Sequence, residues 1–458
     1  MLKSFFIFLI LYSIHSCYSK DLYLVQKIER YIENSGIVGI SIVLFEKSNN
    51  KLEYINLGYE DLNSRKPITE KTPIELASLS KAFTGLVIAK FIIQKKLRLA
   101  ADISDYILNF KEANIKLSLR DLVCHCSQIP WYAISLFDQV DTYTGLIEQL
   151  LSKYKIDPRK ERNFEYSTVN YALLGYILEL IEKRDFKDII KKEVFVPLHM
   201  QNSSFPSENR KNCVGYKIDF MFSHKYSQPL YNLNFPAGYV ISTAEDMGKW
   251  LKFHMNTDTL YENILEKAAA LTHQPFLCSY QNGEYYGFGW FIDNSGNIYH
   301  TGRNPNFSTY IKFNKDYGVV VLSNTASDKI EIIGDFIMNY LTVKDSKISF
   351  VHSVELDTIF SIITLILLLI IVAANIRMKK LISSNKLFYS YFCSLIFLSF
   401  GIFAMLATIV LSKYGINFKS VIIWAPYSLL SVIYETIFIT CEIILLVFTK
   451  HSYWSRRY

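Results

Sequence analysis

The stretch ELASLSKAFTG, residues 75–85, places a serine and a lysine three positions apart at the start of an apolar helical pattern. On an α-helix, positions i and i+3 share a face, so the Ser78 hydroxyl and the Lys81 amine can come within hydrogen-bonding reach. The apolar run that follows predicts a buried helix. Burial lowers the pKa of a lysine and lets it act as a base near neutral pH. The stretch therefore predicts a nucleophile beside its base.

The spacing alone is not specific, because three other serines have a lysine three residues later. These pairs are Ser48 and Lys51, Ser152 and Lys155, and Ser383 and Lys386. The first lies in a polar turn between two alternating runs, the second in a lysine-rich amphipathic stretch and the third in a short basic loop. Within the main domain, only the pair at 78 and 81 precedes a long apolar helical pattern, which would bury the helix and fix its first turn. The alternative interpretation makes Ser78 a helix N-cap and Lys81 a solvated charge.

The N-terminal 20 residues read as a secretory signal. A lysine precedes an apolar run, and small residues follow before charge resumes. We expect residues 1–19 to be a signal peptide cleaved after Ser19. Lipidation of Cys17 and an uncleaved anchor are the alternatives.

The C-terminal part contains three long apolar runs. Each is long enough to cross a hydrocarbon core of about 30 Å, which predicts transmembrane helices at 359–376, 387–411 and 421–448. Lysine and arginine concentrate in the 377–386 loop and after the third run, so the positive-inside rule makes that loop and the 450–458 tail cytoplasmic. The chain is then a multi-pass protein of the cell (inner) membrane, with its main domain facing the periplasm or the cell exterior. A buried helix bundle is the alternative.

These signals divide the chain into five parts. They are a signal peptide (1–19), an extracytoplasmic domain (20–345), a linker (346–358), a membrane region (359–449) with its three helices, and a cytoplasmic tail (450–458). The net charge of +7 is partly explained by the cytoplasmic anchors, and no motif for nucleic acid accompanies it. The seven cysteines form no zinc spacing, so we expect no metal. A disulfide between Cys213 and Cys278 is possible outside the cytoplasm, whereas Cys124 and Cys126 suit core packing.

The main domain combines strands at both ends with helices between them. Two alternating runs flank the Asn49-Asn50 turn, and strand-like runs return after residue 285, before a closing helix near 327–342. Helical patterns dominate residues 78–200. The predicted fold class is α/β (α+β): an antiparallel sheet flanked by helices, with an all-α insertion between its halves.

Further motifs accompany Ser78 in a fixed order. They are Tyr166 in YSTVNY, the run AGYVISTAEDM, the segment GFGW and the tripeptide HTG at 300–302. In this combination the sequence resembles the class C β-lactamases and penicillin-binding-protein-like serine hydrolases, over residues 21–342. The resemblance implies a serine β-lactamase-like fold, no cofactor, and an acyl-enzyme mechanism in which Lys81 and Tyr166 shuttle the proton of Ser78. It also implies an oxyanion site between the backbone N–H groups of Ser78 and Arg303, with His300, Thr301 and Gly302 along the substrate.

Three positions depart from the family pattern. Thr168 replaces the asparagine two residues after the tyrosine, Gln128 replaces a glycine, and Tyr239 replaces the second glycine of A-G-G. Substrate recognition should therefore differ from that of a typical β-lactamase.

A signal sequence, this domain and three C-terminal spans resemble the membrane-bound D-asparaginyl peptidases that mature prodrugs, such as the colibactin-maturation peptidase. That resemblance implies removal of an N-acyl-D-Asn cap, with Thr168 beside the substrate. The expected partners are then a small peptide-like or acylated D-amino-acid substrate and the membrane. Two alternatives stay open: a cell-wall D,D-carboxypeptidase, D-aminopeptidase or related esterase, and a non-catalytic penicillin-binding-like membrane protein.

Overall fold

Strands from both ends of the domain form a single antiparallel sheet. The computed structural model describes residues 22–33, 35–157, 163–206, 213–256, 263–275, 283–343, 350, 356–382, 423, 426–433 and 435. Within these residues, eight strands lie in the order β3-β2-β1-β12-β11-β10-β9-β8, and two short pairs, β4 with β7 and β5 with β6, lie apart from them. The strands are β1 (Gly39–Glu46), β2 (Lys51–Asp61), β3 (Lys66–Pro67), β4 (Ile74–Glu75), β5 (Tyr216–Asp219), β6 (Phe222–Lys225), β7 (Ile241–Ser242), β8 (Tyr285–Gly287), β9 (Trp290–Ile292), β10 (Ile298–Asn304), β11 (Phe307–Phe313) and β12 (Tyr317–Ser323). The predicted antiparallel sheet is confirmed.

Helices lie on both faces of this sheet, and further helices lie apart from it. They include α1 (Leu22–Glu33), α2 (Ser80–Ile93), α3 (Leu108–Glu112), α4 (Leu119–Val123), α5 (Tyr143–Lys153), α6 (Thr168–Glu182), α7 (Phe186–Ile190), α8 (Phe235–Gly238), α9 (Ala244–Met255), α10 (Ile264–Thr272), α11 (Lys329–Val343) and α12 (Leu356–Ile382). Helices α2 to α7 lie between β4 and β5 in the chain, so the predicted helical insertion is confirmed as well.

The central strands are buried on both faces. In β1, Ile40, Ile42 and Leu44 join the core cluster that α1 and α11 cover. The alternate residues Val43 and Phe45 belong to the larger core on the other face. Because successive side chains of a strand point to opposite faces, a strand covered on both sides must be apolar at every position, as GISIVLFE nearly is.

Pairing of β1 with β12 joins strands from the start of the domain's sequence to strands from its end. Ile42 lies opposite Val321, and β1 pairs on its other edge with β2 through the predicted turn. Asn50 adopts a φ of 55°, a left-handed conformation that asparagine tolerates better than most residues.

Helix α2 is the centre of the larger core. Eleven of its residues are buried, which suits a helix that is apolar around its whole circumference. The Phe83 ring stacks on Trp250 of α9 with 4.0 Å between ring centroids. This packing fixes the first turn of α2, where the site described below lies.

The predicted membrane segments obtain no support from the described residues. Among those residues, no helix combines the length and the apolar character that crossing a bilayer requires. The run at 359–376 falls within α12, while the run at 387–411 and most of 421–448 lie outside the described residues. The signal peptide and the cytoplasmic tail also lie outside them, and the linker is described only in part.

The expectation for the cysteines needs correction. Cys213 is a free thiol that lies within 3.5 Å of the Glu60 carbonyl oxygen, so it does not pair with Cys278. Cys124 is free and buried, as core packing predicts, whereas Cys126 is disulfide-bonded. Two cysteines two apart in the chain thus have different chemistry.

Candidate active site

Ser78 lies on a short 3₁₀ turn, Ala77–Leu79, that leads directly into α2. Ala77 has a φ of 50°, an uncommon conformation for a residue with a Cβ that persists only when the surroundings hold it. Leu76 supplies that hold, since its N–H donates to the Val240 carbonyl oxygen at 2.7 Å and its carbonyl accepts from Thr309 Oγ1 at 2.8 Å. The turn leaves Ser78 partly exposed among buried neighbours.

Lys81 lies one turn further along and is fully buried. Its Nζ lies 3.0 Å from Ser78 Oγ and donates to the Ala237 carbonyl oxygen, also at 3.0 Å. Burial lowers the pKa of Lys81 to about 7 from its usual 10.5. Close to half of the molecules then carry a neutral amine beside the serine hydroxyl at neutral pH. The contact predicted from the spacing is present.

Three side chains bind consecutive carbonyl oxygens of residues 236–238. Thr84 Oγ1 donates to the first at 2.6 Å, Lys81 Nζ to the second and Asn304 Nδ2 to the third at 3.2 Å. Thr84 and Lys81 belong to α2, while Asn304 ends β10. The segment is thereby fixed between the helix that carries the lysine and the strand at the edge of the site.

Tyr166 lies just before α6, with its ring close to the lysine. Lys81 Nζ is 5.1 Å from the centroid of this ring, and the His125 ring centroid is 4.3 Å from it. Burial raises the pKa of Tyr166 well above its usual value, and the Ser78 hydroxyl offsets part of this rise. The buried hydroxyl completes no hydrogen bond of normal geometry with the described residues. Tyr166 is therefore a neutral phenol that still holds its proton next to the serine.

The His125 ring packs against the Tyr166 ring and is itself fixed by hydrogen bonds. Its Nδ1 accepts from the Ser167 backbone N–H at 3.2 Å and lies 2.9 Å from Asn170 Nδ2. The same Asn170 accepts from Ser127 Oγ through its Oδ1 at 2.7 Å. Burial first, and then the charge of Lys81, keeps the pKa of His125 well below its usual value. Because Nδ1 accepts from a backbone N–H, the ring proton resides on Nε2.

His300 is buried in β10 and is likewise neutral. Burial, followed by the charge of Lys81, lowers its pKa to about 3, against a smaller opposing effect of the Thr301 backbone. Its Nε2 lies 3.2 Å from the Tyr286 hydroxyl, and its ring centroid is 6.2 Å from that of Tyr166. Two neutral imidazoles next to Lys81 add no positive charge to the site.

Gly302 allows β10 to approach the nucleophile turn. A Cβ at this position would lie 2.2 Å from the Leu76 carbonyl oxygen and 2.2 Å from Thr309 Oγ1. The glycine thus brings β10 against the segment two residues before Ser78. On the same strand Thr301 is partly exposed and Arg303 is exposed, with its guanidinium paired to Asp328.

Of the predicted site residues, Ser78, Lys81, Tyr166 and His300 are joined by the contacts above. Thr168 is the first residue of α6 and is partly exposed. The assignments of Thr168 to substrate binding and of the Arg303 N–H to the oxyanion site stay predictions. Among the described residues, no group of three or more His, Cys, Asp or Glu side chains is placed to hold a metal ion.

The sequence interpretation missed one carboxyl group close to the nucleophile. Glu75 is buried, and its Oε2 accepts from Asn304 Nδ2 at 3.2 Å and from the Gln228 amide. Burial raises the pKa of Glu75 to about 7, although both hydrogen bonds lower it. The sequence offered one signal for this residue, which is the position of Glu75 three residues before Ser78. Its partners lie more than 150 residues away in the chain, so spacing could not reveal them.

Comparisons with known proteins find related sequences over most of the domain. The family model described as Beta-lactamase matches residues 24–333. Protein flp of Staphylococcus aureus (strain N315) is 28% identical over 371 residues, which cover 76% of this chain and 72% of that protein. Teichoic acid D-alanine hydrolase of Staphylococcus aureus (strain MRSA252) is 27% identical over 228 residues, which cover 49% of this chain and 56% of that protein.

A solved structure shows a similar fold. The octameric penicillin-binding protein homologue from Pyrococcus abyssi matches with a TM-score of 0.61 and 23% sequence identity. The match covers 71% of this chain and 78% of the other. At this level of identity the likeness concerns the fold.

Proposed function

Because the chain belongs to the β-lactamase family and is a serine hydrolase, we propose that it cleaves acylated D-amino-acid substrates through an acyl-enzyme on Ser78. The observation that carries this proposal is the 3.0 Å contact between Ser78 Oγ and the buried Nζ of Lys81. A lysine with a pKa of about 7 can take the serine proton at neutral pH. A solvated lysine would be almost wholly charged there.

In the proposed first step, Ser78 Oγ attacks the carbonyl carbon of the substrate while its proton moves to the neutral Lys81 amine. The negative oxygen lies between the backbone N–H groups of Ser78 and Arg303. When the tetrahedral intermediate collapses, the bond to the leaving nitrogen or oxygen breaks and that atom takes a proton. Tyr166 supplies it and is restored by Lys81, since its raised pKa keeps the phenol protonated. Water then attacks the ester carbonyl carbon while Lys81 accepts its proton. The bond between Ser78 Oγ and the acyl carbon breaks, and Lys81 returns the proton to Ser78 Oγ.

Covalent labelling tests the nucleophile. We expect a fluorophosphonate probe to label the wild type and the Ser48→Ala and Ser152→Ala controls, and to leave Ser78→Ala unlabelled. Both control serines belong to the same S-x-x-K spacing but lie elsewhere in the fold. Labelling of Ser78→Ala at the wild-type rate would defeat the assignment.

The proposed substrate class is an N-acyl-D-Asn cap. Thr168, two residues after Tyr166 and partly exposed, is the feature that favours it. A hydroxyl there can hydrogen-bond an amide side chain, and such a bond contributes about 1 kcal/mol net. We expect an N-acyl-D-Asn amide to be cleaved faster than its L-Asn epimer and the D-Ala analogue. Thr168→Val should remove most of this preference and leave fluorophosphonate labelling intact.

A second candidate is release of D-alanine, which the printed name of the teichoic acid D-alanine hydrolase favours. The two candidates share the chemistry of Ser78 and differ in the side chain of the D-residue. Faster release of D-Ala, from an ester on a teichoic acid or from a muropeptide, than of D-Asn would decide for this candidate. Thr168→Val should then have little effect on selectivity.

We also propose that the chain is anchored in the cell membrane with this site on the outer side. The apolar runs at 359–376, 387–411 and 421–448 and the charge asymmetry around them support it. The test uses a variant of the protein without its native cysteines, expressed in intact cells. A cysteine in place of Lys380 should be shielded from an impermeant thiol reagent, whereas one in place of Tyr414 should react. The reverse pattern would place the hydrolase domain inside the cell.

A further inference from the structure

The hairpin formed by β5 and β6 ends in a turn that its own sequence disfavours. Its two central residues, Phe220 and Met221, have φ values of 53° and 66°, and Asp219 pairs with Phe222 across the turn. Two positive φ values in succession define the type I′ hairpin, for which Asn-Gly is the preferred pair. A left-handed conformation is sterically unfavourable for a bulky L-residue. Residues that tolerate a positive φ, such as asparagine and glycine, would make this turn more stable.

The backbone of this turn, rather than its side chains, is fixed to the start of α12. The Asp357 carboxylate accepts from the N–H groups of Phe220 at 3.0 Å and Met221 at 2.8 Å. It also accepts from Ser428 Oγ at 2.7 Å. Any residue other than proline could make the two backbone contacts. The phenylalanine and methionine side chains are thus not required for attaching the hairpin to the helix.

These side chains instead lie on the surface. Phe220 is 37% exposed, Met221 56% and Phe222 75%. We call these three residues the hairpin tip. They add to exposed apolar side chains of α12, which begin two residues after Asp357. The exposed residues of that helix are Ile359, Ile362, Ile363, Leu365, Ile366, Leu368, Leu369 and Val372.

The distribution of these residues around α12 indicates the kind of partner. At about 100° per residue, they spread over roughly 220° of the helix circumference. A helix that packs on a protein surface typically uses an apolar stripe of about 100°. Lipid, by contrast, contacts every exposed side of a helix. The hairpin tip next to this helix is wholly apolar, and phenylalanine is among the side chains that bury into the boundary between headgroups and acyl chains.

We propose that Phe220, Met221 and Phe222 insert into the lipid interface beside α12 and set the orientation of the hydrolase domain above the membrane. This inference rests on the membrane attachment proposed above, but not on the hydrolytic chemistry. It explains why a turn that would accept Asn-Gly carries two large apolar residues instead.

The base of the hairpin connects this contact to the active site. The Tyr216 N–H donates to the Asn306 carbonyl oxygen at 3.1 Å, and Asn306 Nδ2 donates to the Tyr226 carbonyl oxygen at 2.9 Å. Asn306 lies in the turn between β10 and β11, four residues after Gly302. The hairpin tip therefore holds the end of the active-site strand at a fixed height over the bilayer.

The test measures tryptophan fluorescence of the full chain in vesicles of phosphatidylcholine and phosphatidylglycerol. Phe222→Trp is the tip reporter, and Leu108→Trp, at a side chain 67% exposed on α3, is the control reporter. The signal of the five native tryptophans is subtracted with the wild type. We expect brominated phospholipid to quench the tip reporter at least twofold more than the control reporter, and aqueous acrylamide to show the opposite order.

Equal quenching of the two reporters by brominated lipid would overturn the inference. So would a tip reporter shielded from acrylamide but not quenched by the lipid, because a protein partner would then cover the tip. If the chain does not float with vesicles in a density gradient, this inference and the proposed membrane attachment both fail. Flotation without quenching contradicts only this inference, and fluorophosphonate labelling is independent of either result.

A second variant separates the turn from its side chains. Phe220→Asn with Met221→Gly, added to the Phe222→Trp reporter, installs the preferred type I′ pair. We expect the hairpin to be at least as stable to urea, while quenching by brominated lipid falls at least twofold. Undiminished quenching would show that the two large side chains do not contribute to the lipid contact.

Discussion

Replacement of Lys81 by methionine should abolish turnover and make the protein more stable at neutral pH. Methionine keeps most of the apolar stem and removes the ionisable end. Burial lowers the pKa of Lys81 from 10.5 to about 7. Between about pH 7 and pH 10.5, the unfolded chain holds a proton on this lysine that the folded chain has lost. The stability of the wild type therefore rises with pH in this range because of Lys81.

The size of the effect follows from the two pKa values. With about 1.4 kcal/mol per pH unit, the buried lysine costs the wild type about 4 kcal/mol at pH 7 and about 2 kcal/mol at pH 9. The methionine variant does not have this cost. It leaves the Ala237 carbonyl oxygen without its donor, which costs about 1–3 kcal/mol at every pH. The net gain at pH 7 is then about 1–3 kcal/mol.

The pH dependence is the decisive quantity, because the constant losses cancel from it. Urea unfolding of the full chain at several pH values gives the difference in free energy of unfolding between Lys81→Met and the wild type. We expect this difference to shrink by about 2 kcal/mol in total from pH 7 to 9. Lys267→Met, at an exposed lysine of α10, is the control for removing a surface lysine and should give a small difference in the free energy of unfolding. A difference for Lys81→Met that does not change with pH would refute the neutral-lysine argument.

Three further predictions concern the site. The acylation rate of the wild type should rise with pH and level off above an apparent pKa of about 7, because Lys81 must lose its proton to act as a base; a rate independent of pH between 5 and 9 would contradict this role. Gly302→Ala should lower the rate of fluorophosphonate labelling at least tenfold, since its Cβ would displace β10 from the nucleophile turn, whereas Gly296→Ala, with no atom within 4 Å, should label at the wild-type rate. Asn170→Ala should destabilise the protein by about 1–3 kcal/mol in urea unfolding, because Ser127 Oγ and His125 Nδ1 each lose one of their two contacts; a change below about 0.5 kcal/mol would mean that these contacts contribute little.

Local patterns were sufficient for much of the fold. The Asn49-Asn50 turn, the apolar helix after Ser78 and the strands of the closing sheet each depend on residues close in the chain. Their periodicity reflects which side chains face the core, and this could be read directly. The same holds for the contact between Ser78 and Lys81, since one helical turn determines their distance.

What the sequence could not show are contacts between distant segments. The support of Tyr166 by His125 joins residues 41 positions apart, and the hydrogen bond from Asn304 to Glu75 spans 229 positions. Such contacts depend on how helices and strands pack, and no local spacing encodes that. Cys213 shows the same limit, because a pairing with Cys278 was compatible with the sequence while the thiol is free.

The hydrogen bond from Lys81 to Ala237 has a consequence for the direction of proton transfer. A neutral amine has two N–H groups and a single lone pair, and rotation about its terminal bond offers three staggered orientations. One N–H is committed to the Ala237 carbonyl oxygen, so at least one of these orientations is excluded. The lone pair then spends about half of its time aimed at Ser78 instead of about a third, an advantage of about 1.5-fold in rate. The Ala237 carbonyl oxygen thus favours the rotational states in which the base can accept the proton of Ser78.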